Sequence, residues 1–328
     1  MTTRRHLLAT FGSPLLLGAA GLPITAHAQA IESVRVLAGF PPGGTVDAVS
    51  RRVADRLRGS YAKASIVENK PGAGGRLAAE ELKRSAPDGT SILVTPAAMI
   101  TLYPHLYTKL PYGLDDFTAV AGIGTVAFAF GVGPAVPESV KTLRDYLAWA
   151  KATPEKASYG SPGAGSPPHM LAALLGKEAG VELAHVPYRG SGPGIQDLLG
   201  GQVPAFSSPV GDYLQHVRAG KLRVLATSGP QRSRFLPEVP TYTEQGFKAL
   251  EQTEWYGAVM PAKTPADVVA RAAAAIRELT SSAEVAAAFS PLGVEPAFQA
   301  PEVLARAIRA ENAAWGPTVK RVGFTPEQ

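Results

Sequence analysis

The sequence predicts an α/β protein of two lobes, each a mostly parallel sheet flanked by helices, and three observations carry this. Strand-length and helix-length apolar patterns alternate almost throughout, as in α/β layers. Glycine-rich turns stand where strands pass into helices. About 300 residues follow the N-terminal export segment, enough for two cores, yet no low-complexity linker divides them.

Taken in order, residues 34–40 form a first strand, stopped by Pro41-Pro42-Gly43-Gly44. A helix follows from Thr45, because Val46, Val49, Val53 and Leu57 fall at helical spacing and Thr45 can cap it. Residues 64–68 make a second strand, 76–85 a helix and 91–95 a third strand. Further strands are predicted at 126–132, 157–161, 183–188, 203–208, 223–228 and 255–260. Helices are predicted at 139–153, 166–180, 215–219, 266–282 and 302–322. Without a single linker the chain must pass between lobes more than once. The crossings are the strand around 128–133 and the segment before Trp255-Tyr256-Gly257. The expected division is 31–130 with 254–328 in one lobe and 131–253 in the other, a two-crossing hinge that permits closure.

The first residues set the compartment. Arg4 and Arg5, an apolar run from Leu7 to Ile24 and the small-residue pattern Ala26-His27-Ala28 make a secretory signal over residues 1–28, cut near Ala28. Thr3-Arg4-Arg5-His6-Leu7-Leu8 also has the form of a twin-arginine signal. Gly12, Pro14 and Gly18 interrupt the run, which speaks against a membrane anchor. The chain has no cysteine, so disulfides, thiolate metal sites and a cysteine nucleophile are excluded. Its 32 Lys and Arg against 27 Asp and Glu are scattered, too even a balance for nucleic acid.

In such sheets a ligand site lies at the carboxyl ends of the strands, where loops meet helix N-termini with unpaired N–H groups. Three loops stand out. In Phe40-Pro41-Pro42-Gly43-Gly44-Thr45-Val46-Asp47, two glycines let backbone approach a ligand, and the helix start suits a carboxylate. Asp47 has two readings there, stabilising the helix dipole or orienting a ligand amine or hydroxyl. Gly160-Ser161-Pro162-Gly163-Ala164-Gly165-Ser166-Pro167-Pro168-His169 places Ser166 at an N-cap and Pro167 at the first helical position. The third loop is Pro187-Tyr188-Arg189-Gly190-Ser191-Gly192-Pro193-Gly194.

Together and in order, these loops resemble the tripartite tricarboxylate transporter solute-binding proteins, the Bug family. The resemblance extends through Asn69-Lys70-Pro71-Gly72-Ala73-Gly74-Gly75, Pro87-Asp88-Gly89-Thr90, Trp255-Tyr256-Gly257, Asp197-Leu198-Leu199-Gly200-Gly201-Gln202-Val203, Ala219-Gly220-Lys221-Leu222-Arg223 and Pro237-Glu238-Val239-Pro240-Thr241. It covers essentially the whole mature chain. It implies a periplasmic two-lobed receptor of the Venus-flytrap kind, type II-like, that acts as a monomer, needs no cofactor or metal, and delivers a small organic or aromatic carboxylate to membrane transporter subunits. It nominates Phe40, Pro41, Gly43, Gly44, Thr45 and Asp47 in one lobe. In the other it nominates Ser161, Gly163, Ala164, Gly165, Ser166 and His169, with Tyr188 and Gly190 behind them.

Two departures bear on specificity. After Gly201-Gln202-Val203 the family usually has an acidic residue and then a Phe-Asp pair on the cleft side, where this chain reads Pro204-Ala205-Phe206-Ser207-Ser208. The loss of that carboxylate points to a ligand without an amino group, with Ser207 and Ser208 facing its far end. Arg76 stands where the family tends to have Asn; it can pair with a distal carboxylate or be a solvated helix-start residue.

Rival readings are an α/β enzyme and a receptor that reports to a membrane sensor. Gly122-Ile123-Gly124 with Ala127 has dinucleotide spacing, but strand-like residues follow it instead of a helix. Neither a nucleophile elbow nor an H-E-x-x-H pattern occurs, so the chain is not read as an enzyme. Transport and sensing share one fold, and the sequence leaves that choice open.

Overall fold

The computed structural model describes residues 31–325. The export signal expected over residues 1–28 lies outside them. In chain order the strands are β1 (Ile31–Ala38), β2 (Ala62–Asn69), β3 (Ser91–Pro96), β4 (Phe117–Val132), β5 (Ser158–Ser161), β6 (Ala184–Pro187), β7 (Ala205–Pro209), β8 (Arg223–Thr227), β9 (Thr253–Pro261) and β10 (Glu295–Gln299). The helices are α1 (Thr45–Leu57), α2 (Arg76–Arg84), α3 (Ala98–Thr101), α4 (Leu143–Ala152), α5 (Pro167–Ala179), α6 (Ser191–Leu199), α7 (Leu214–Arg218), α8 (Ala266–Thr280), α9 (Ala283–Phe289) and α10 (Pro301–Val322). Among the described residues no helix is long and apolar enough to cross a membrane.

The strands run in the order β2-β1-β3-β9-β4-β7-β5-β6, with β8 and β10 also paired to β4. The sheet is mixed. Parallel pairing joins β2, β1 and β3 at one end and β6, β5 and β7 at the other. The pairs made by β9 and β4 between them are antiparallel. Strand β4, 16 residues long, is more than twice the length the sequence suggests and changes partners midway, pairing with β9 over Phe117–Ala127 and with β7 from Phe128. The Gly122-Ile123-Gly124 run lies inside this strand, so it is no dinucleotide turn.

Burial explains the elements. Val46, Val49, Val53, Ala54 and Leu57 turn one face of α1 onto a first core with Val34, Val36, Ile92, Val94, Ala258 and Ile276. Fully burying each Val, Leu or Ile side chain among them stabilises by roughly 1.5–3 kcal/mol. A second core gathers Phe128, Phe130, Tyr146, Tyr159, Leu175 and Tyr242. Helix α10 touches both parts. Its Leu304 and Ile308 pack with Leu37 and Leu93, while Trp315 and Val319 join Leu102, Leu106 and Met170 of α5.

Candidate functional site

The turn after β1 is shaped by one carboxylate. Asp47 is buried; its Oδ2 accepts the Gly43 N–H and the Arg51 Nε–H, both at 2.9 Å, and its Oδ1 accepts Asn69 Nδ2–H at 2.9 Å. Asn69 also donates to the Phe40 carbonyl at 3.0 Å, tying the turn to the end of β2. Burial pushes the Asp47 carboxyl up, but the bonds from Arg51, Gly43 and Asn69 outweigh it and hold the group below the ordinary carboxylate range. Gly43 takes φ +87°, the left-handed region that favours glycine.

Gly44, not Thr45, is the N-cap of α1. Glycine has no side chain to accept the first-turn N–H groups, so no side chain caps this helix. Pro41, Pro42, Gly43 and Gly44 are exposed and Thr45 is half-buried, so the turn leading into the positive end of the helix dipole faces solvent, while Val46 and Asp47 behind it are buried.

Phe40 connects this turn to the next. A methyl group at Gly75 would stand 3.2 Å from the Phe40 ring and 2.6 Å from the Met99 sulfur, and one at Gly39 would strike the Gly75 backbone at 2.7 Å. The Gly-rich run is thus set by two backbones packed in contact. Arg76 follows. Its Nε donates to the Ala73 carbonyl at 2.7 Å, and its guanidinium lies 3.8 Å above the Tyr107 ring centre. Among the described residues no carboxylate pairs with it.

The turn after β5 is closed by its own hydroxyls. Ser166 is the N-cap of α5 as the sequence predicts, accepting His169 N–H at 3.4 Å and donating to the Gly163 carbonyl at 2.8 Å. Ser161 Oγ donates to the same carbonyl at 3.0 Å and lies 2.8 Å from His185 Nε2. The Gly165 N–H donates to His169 Nδ1 at 2.9 Å, which leaves the His169 proton on Nε2. Burial lowers His169 to about 3, with the adjacent His185 adding to the effect, and burial lowers His185 to about 4. Ala164 is exposed in the middle of this turn. The Gly190 N–H donates to the Pro162 carbonyl at 2.8 Å and Tyr188 N–H to the Ser161 carbonyl at 3.0 Å, so the third loop is bound to the second. The Tyr188 hydroxyl donates to Asp197 at 2.9 Å, and its ring meets Phe206 edge-on.

The two groups of loops are joined through residues 103–107. The Tyr103 hydroxyl donates to the Gly74 carbonyl, Tyr103 meets Tyr107 edge-on, and a methyl group at Gly165 would stand 2.8 Å from Leu106.

Ser207 and Ser208 do not act alike. Both are fully buried on β7. Ser207 lies opposite Phe130 of the second core and has no hydrogen-bond partner among the described residues. Ser208 Oγ instead bonds the Ser191 hydroxyl at 3.0 Å and the Asp212 carboxylate. Where the Phe-Asp pair is absent from the strand, a carboxylate stands nearby all the same, Asp212 of the 3-10 turn Val210–Tyr213. Asp212, Ser191 and His185 were missed by sequence reasoning. His185 sits on β6 in register with Tyr159, a cross-strand relation that spacing along one strand does not reveal.

Residues 49–324 match the family described as the tripartite tricarboxylate transporter family receptor. The protein BugT of Bordetella pertussis is 30% identical over 320 residues, covering 97% of this chain and 98% of its own. The solved structure of the periplasmic binding protein BugD superposes with a TM-score of 0.80 at 27% identity, covering 90% of this chain and 99% of that one. A Rhodopseudomonas palustris protein solved with adipate gives a TM-score of 0.82 at 28% identity over the same shares. The chain belongs to the tripartite tricarboxylate transporter receptor family and shares the fold of its two-lobed periplasmic binding proteins.

Proposed function

We propose that this chain is an exported periplasmic receptor that captures a small organic or aromatic carboxylate and presents it to the membrane subunits of a tripartite tricarboxylate-type uptake system. The observation that carries the reading is the uncapped, exposed N-terminus of α1, whose shape Asp47 and Asn69 hold in place. A carboxylate there completes first-turn N–H groups and meets the positive end of the helix, without a dedicated cation. Bound water can supply the remaining contacts from the Ser161–Ser166 turn. The adipate of the R. palustris relative fits this chemistry.

In this reading residues 31–130 with 254–328 form one lobe and 131–253 the other, the ligand is held as a monomer's cargo, and it leaves unchanged. The separate memberships of the two cores support a division of this kind, with the change of core on β4 falling between Val126 and Phe128. Calorimetry of the mature protein against organic acids and their amides is the test. The acid should bind at least tenfold more tightly than its amide, which carries no charge for the helix end to favour. Equal affinities would refute the carboxylate reading. Turnover of the bound acid would refute the receptor assignment, and N-terminal sequencing of the exported product should find a start just after Ala28.

A further inference from the structure

Beside the loops already described lies a cavity of about 380 Å³ whose walls include Ser191, Gly192, Ile195, Asp212, His216 and Pro291. Its first wall residue, Ser191, follows Gly190, whose N–H donates to the Pro162 carbonyl of the Ser161–Ser166 turn. Pro291 closes it from a different part of the chain. A methyl group at Gly211 would stand 2.2 Å from the Leu292 carbonyl, and Leu292 packs on the first core. The cavity thus lies between residues 191–218 and the turn that holds Pro291, whose neighbour Leu292 packs on the first core.

Asp212 is the one carboxylate in its wall. The Ser208 hydroxyl lies against it, the Ser191 hydroxyl is 3.0 Å from that of Ser208, and both hydroxyls hydrogen-bond the carboxylate. Burial pushes the Asp212 carboxyl up, against the lowering effect of its bonds to Ser208 and Ser191; ionised, it has about four acceptor positions. Two hydroxyls fill at most two of them, and no ion pair to a described Arg, Lys or His neutralises the charge; Arg218, which also lines the cavity, is not paired with it. A partly dehydrated carboxylate with acceptor capacity to spare stabilises a donor brought to it far more than one in bulk water does. A second carboxylate placed there would be repelled.

We propose that Asp212, positioned by Ser208 and Ser191, is a specificity seat for a hydrogen-bond donor on the ligand, so that the preferred ligand is a carboxylate also carrying a hydroxyl or ammonium group. The proposal rests on the carboxylate-receptor reading for the ligand's other end. It reverses what the bare sequence suggests, since the missing Phe-Asp acid is replaced by one reaching the same strand from the next turn.

The test is a set of matched ligands titrated into the mature protein: succinate against malate and aspartate, adipate against 2-hydroxyadipate and 2-aminoadipate, and the corresponding diamides. In at least one series the donor-bearing member should bind about tenfold or more tightly than its parent, the scale of a hydrogen bond to a charged group. Malate-type and aspartate-type members separate hydroxyl from ammonium. Asp212→Asn should bring that ratio close to one, and Ser191→Ala, which loosens the carboxylate without removing it, should lower the ratio partway. Melting of the ligand-free variants reports their folding, and Ser191→Ala carries the test should Asp212→Asn not fold. The seat is overturned when no donor-bearing member binds more tightly than its parent, or when the ratio survives in the folded variants. A ratio that persists among the diamides while acids and amides bind alike would sink the carboxylate reading and leave this seat standing.

Discussion

The imidazoles of His169 and His185 lie face to face, ring centres 3.8 Å apart and planes 12° from parallel, with Tyr159 tilted against both. His169 accepts Gly165 N–H and His185 meets Ser161, so the stack ties the start of α5 to β6 beneath the second loop. Both rings are held neutral, His169 at about 3 and His185 at about 4, because burial disfavours the cation.

Acid should therefore loosen this loop. A histidine of the unfolded chain takes a proton near pH 6.5, whereas these two resist until pH 3 to 4. Their contribution is fully present above about pH 6.5 and is lost as pH falls through 4 and then 3. The melting temperature should drop over that interval, and His185→Phe, which keeps a ring in the stack but cannot ionise, should make the drop shallower. An unchanged slope in the variant would exclude the pair as the cause.

The opposite dependence is built around Glu254 and Glu311. Glu254, buried on β9, accepts the Ala98 N–H at 3.1 Å and is pushed up to about 8, first by burial and then by the neighbouring Glu311. Glu311 on α10 accepts Trp255 Nε1–H at 2.7 Å and rises to about 6, mainly through burial. Both carboxyls are protonated more readily in the folded protein than in the unfolded chain. Their stabilisation is complete below about pH 4.5 and declines as pH rises through 6 and then 8. Glu254→Gln keeps an acceptor for Ala98 and removes the charge. It should raise the melting temperature at pH 8 and change it little at pH 5; an equal effect at both pH values would contradict the assignment.

Much of this fold could be read from the chain, and what could not has identifiable causes. The α1 stripe of Val46, Val49, Val53 and Leu57 is legible because one apolar face of a helix leaves a periodic record. The first half of β4 is not, because Gly122 and Gly124 look like turn residues. The reason for them is remote: a methyl group at either would come within 2.9 Å of Gln299 or of Val294 and Glu295, where β10 passes close. β10 itself is five half-buried residues containing a proline, with no alternation to mark it. Of the candidate loops, the Ser166 cap of α5 was legible because cap chemistry is local, whereas the cap of α1 falls on Gly44, one residue before the expected Thr45. Asp212 and His185 were not legible, since each works through a partner on another strand or turn.

The Gly-rich turn at Gly75 should tolerate nothing larger. Its φ is +90°, and an added methyl group would press on the Met99 sulfur at 2.6 Å and on Phe40. Gly75→Ala should cost about 1–2 kcal/mol for the left-handed backbone and about 1–3 kcal/mol for overpacking. Urea unfolding measures this. A loss below about 0.5 kcal/mol, the size of an ordinary surface change, would show that the two backbones are not locked together.

Gly44 separates the stability of α1 from its binding role. Its backbone, φ −83° and ψ 173°, is one any residue adopts, and an added Cβ would meet only the Pro41 carbonyl at 3.8 Å. Folding therefore places no steric demand for glycine here. A serine at this N-cap would accept a first-turn N–H, so Gly44→Ser should stabilise the ligand-free protein by a few tenths of a kcal/mol. The same hydroxyl would compete with a carboxylate for the donors that the bare helix end leaves open, and carboxylate affinity should fall about tenfold. Gly44→Val cannot cap, yet it places bulk where the carboxylate must approach, so it should weaken binding while slightly destabilising the fold. Stability and affinity thus move in opposite directions for serine and together for valine. Unchanged carboxylate affinity in both folded variants would show that the α1 N-terminus is not where the carboxylate sits, and would turn attention to Arg76, stacked on Tyr107 with no described carboxylate partner.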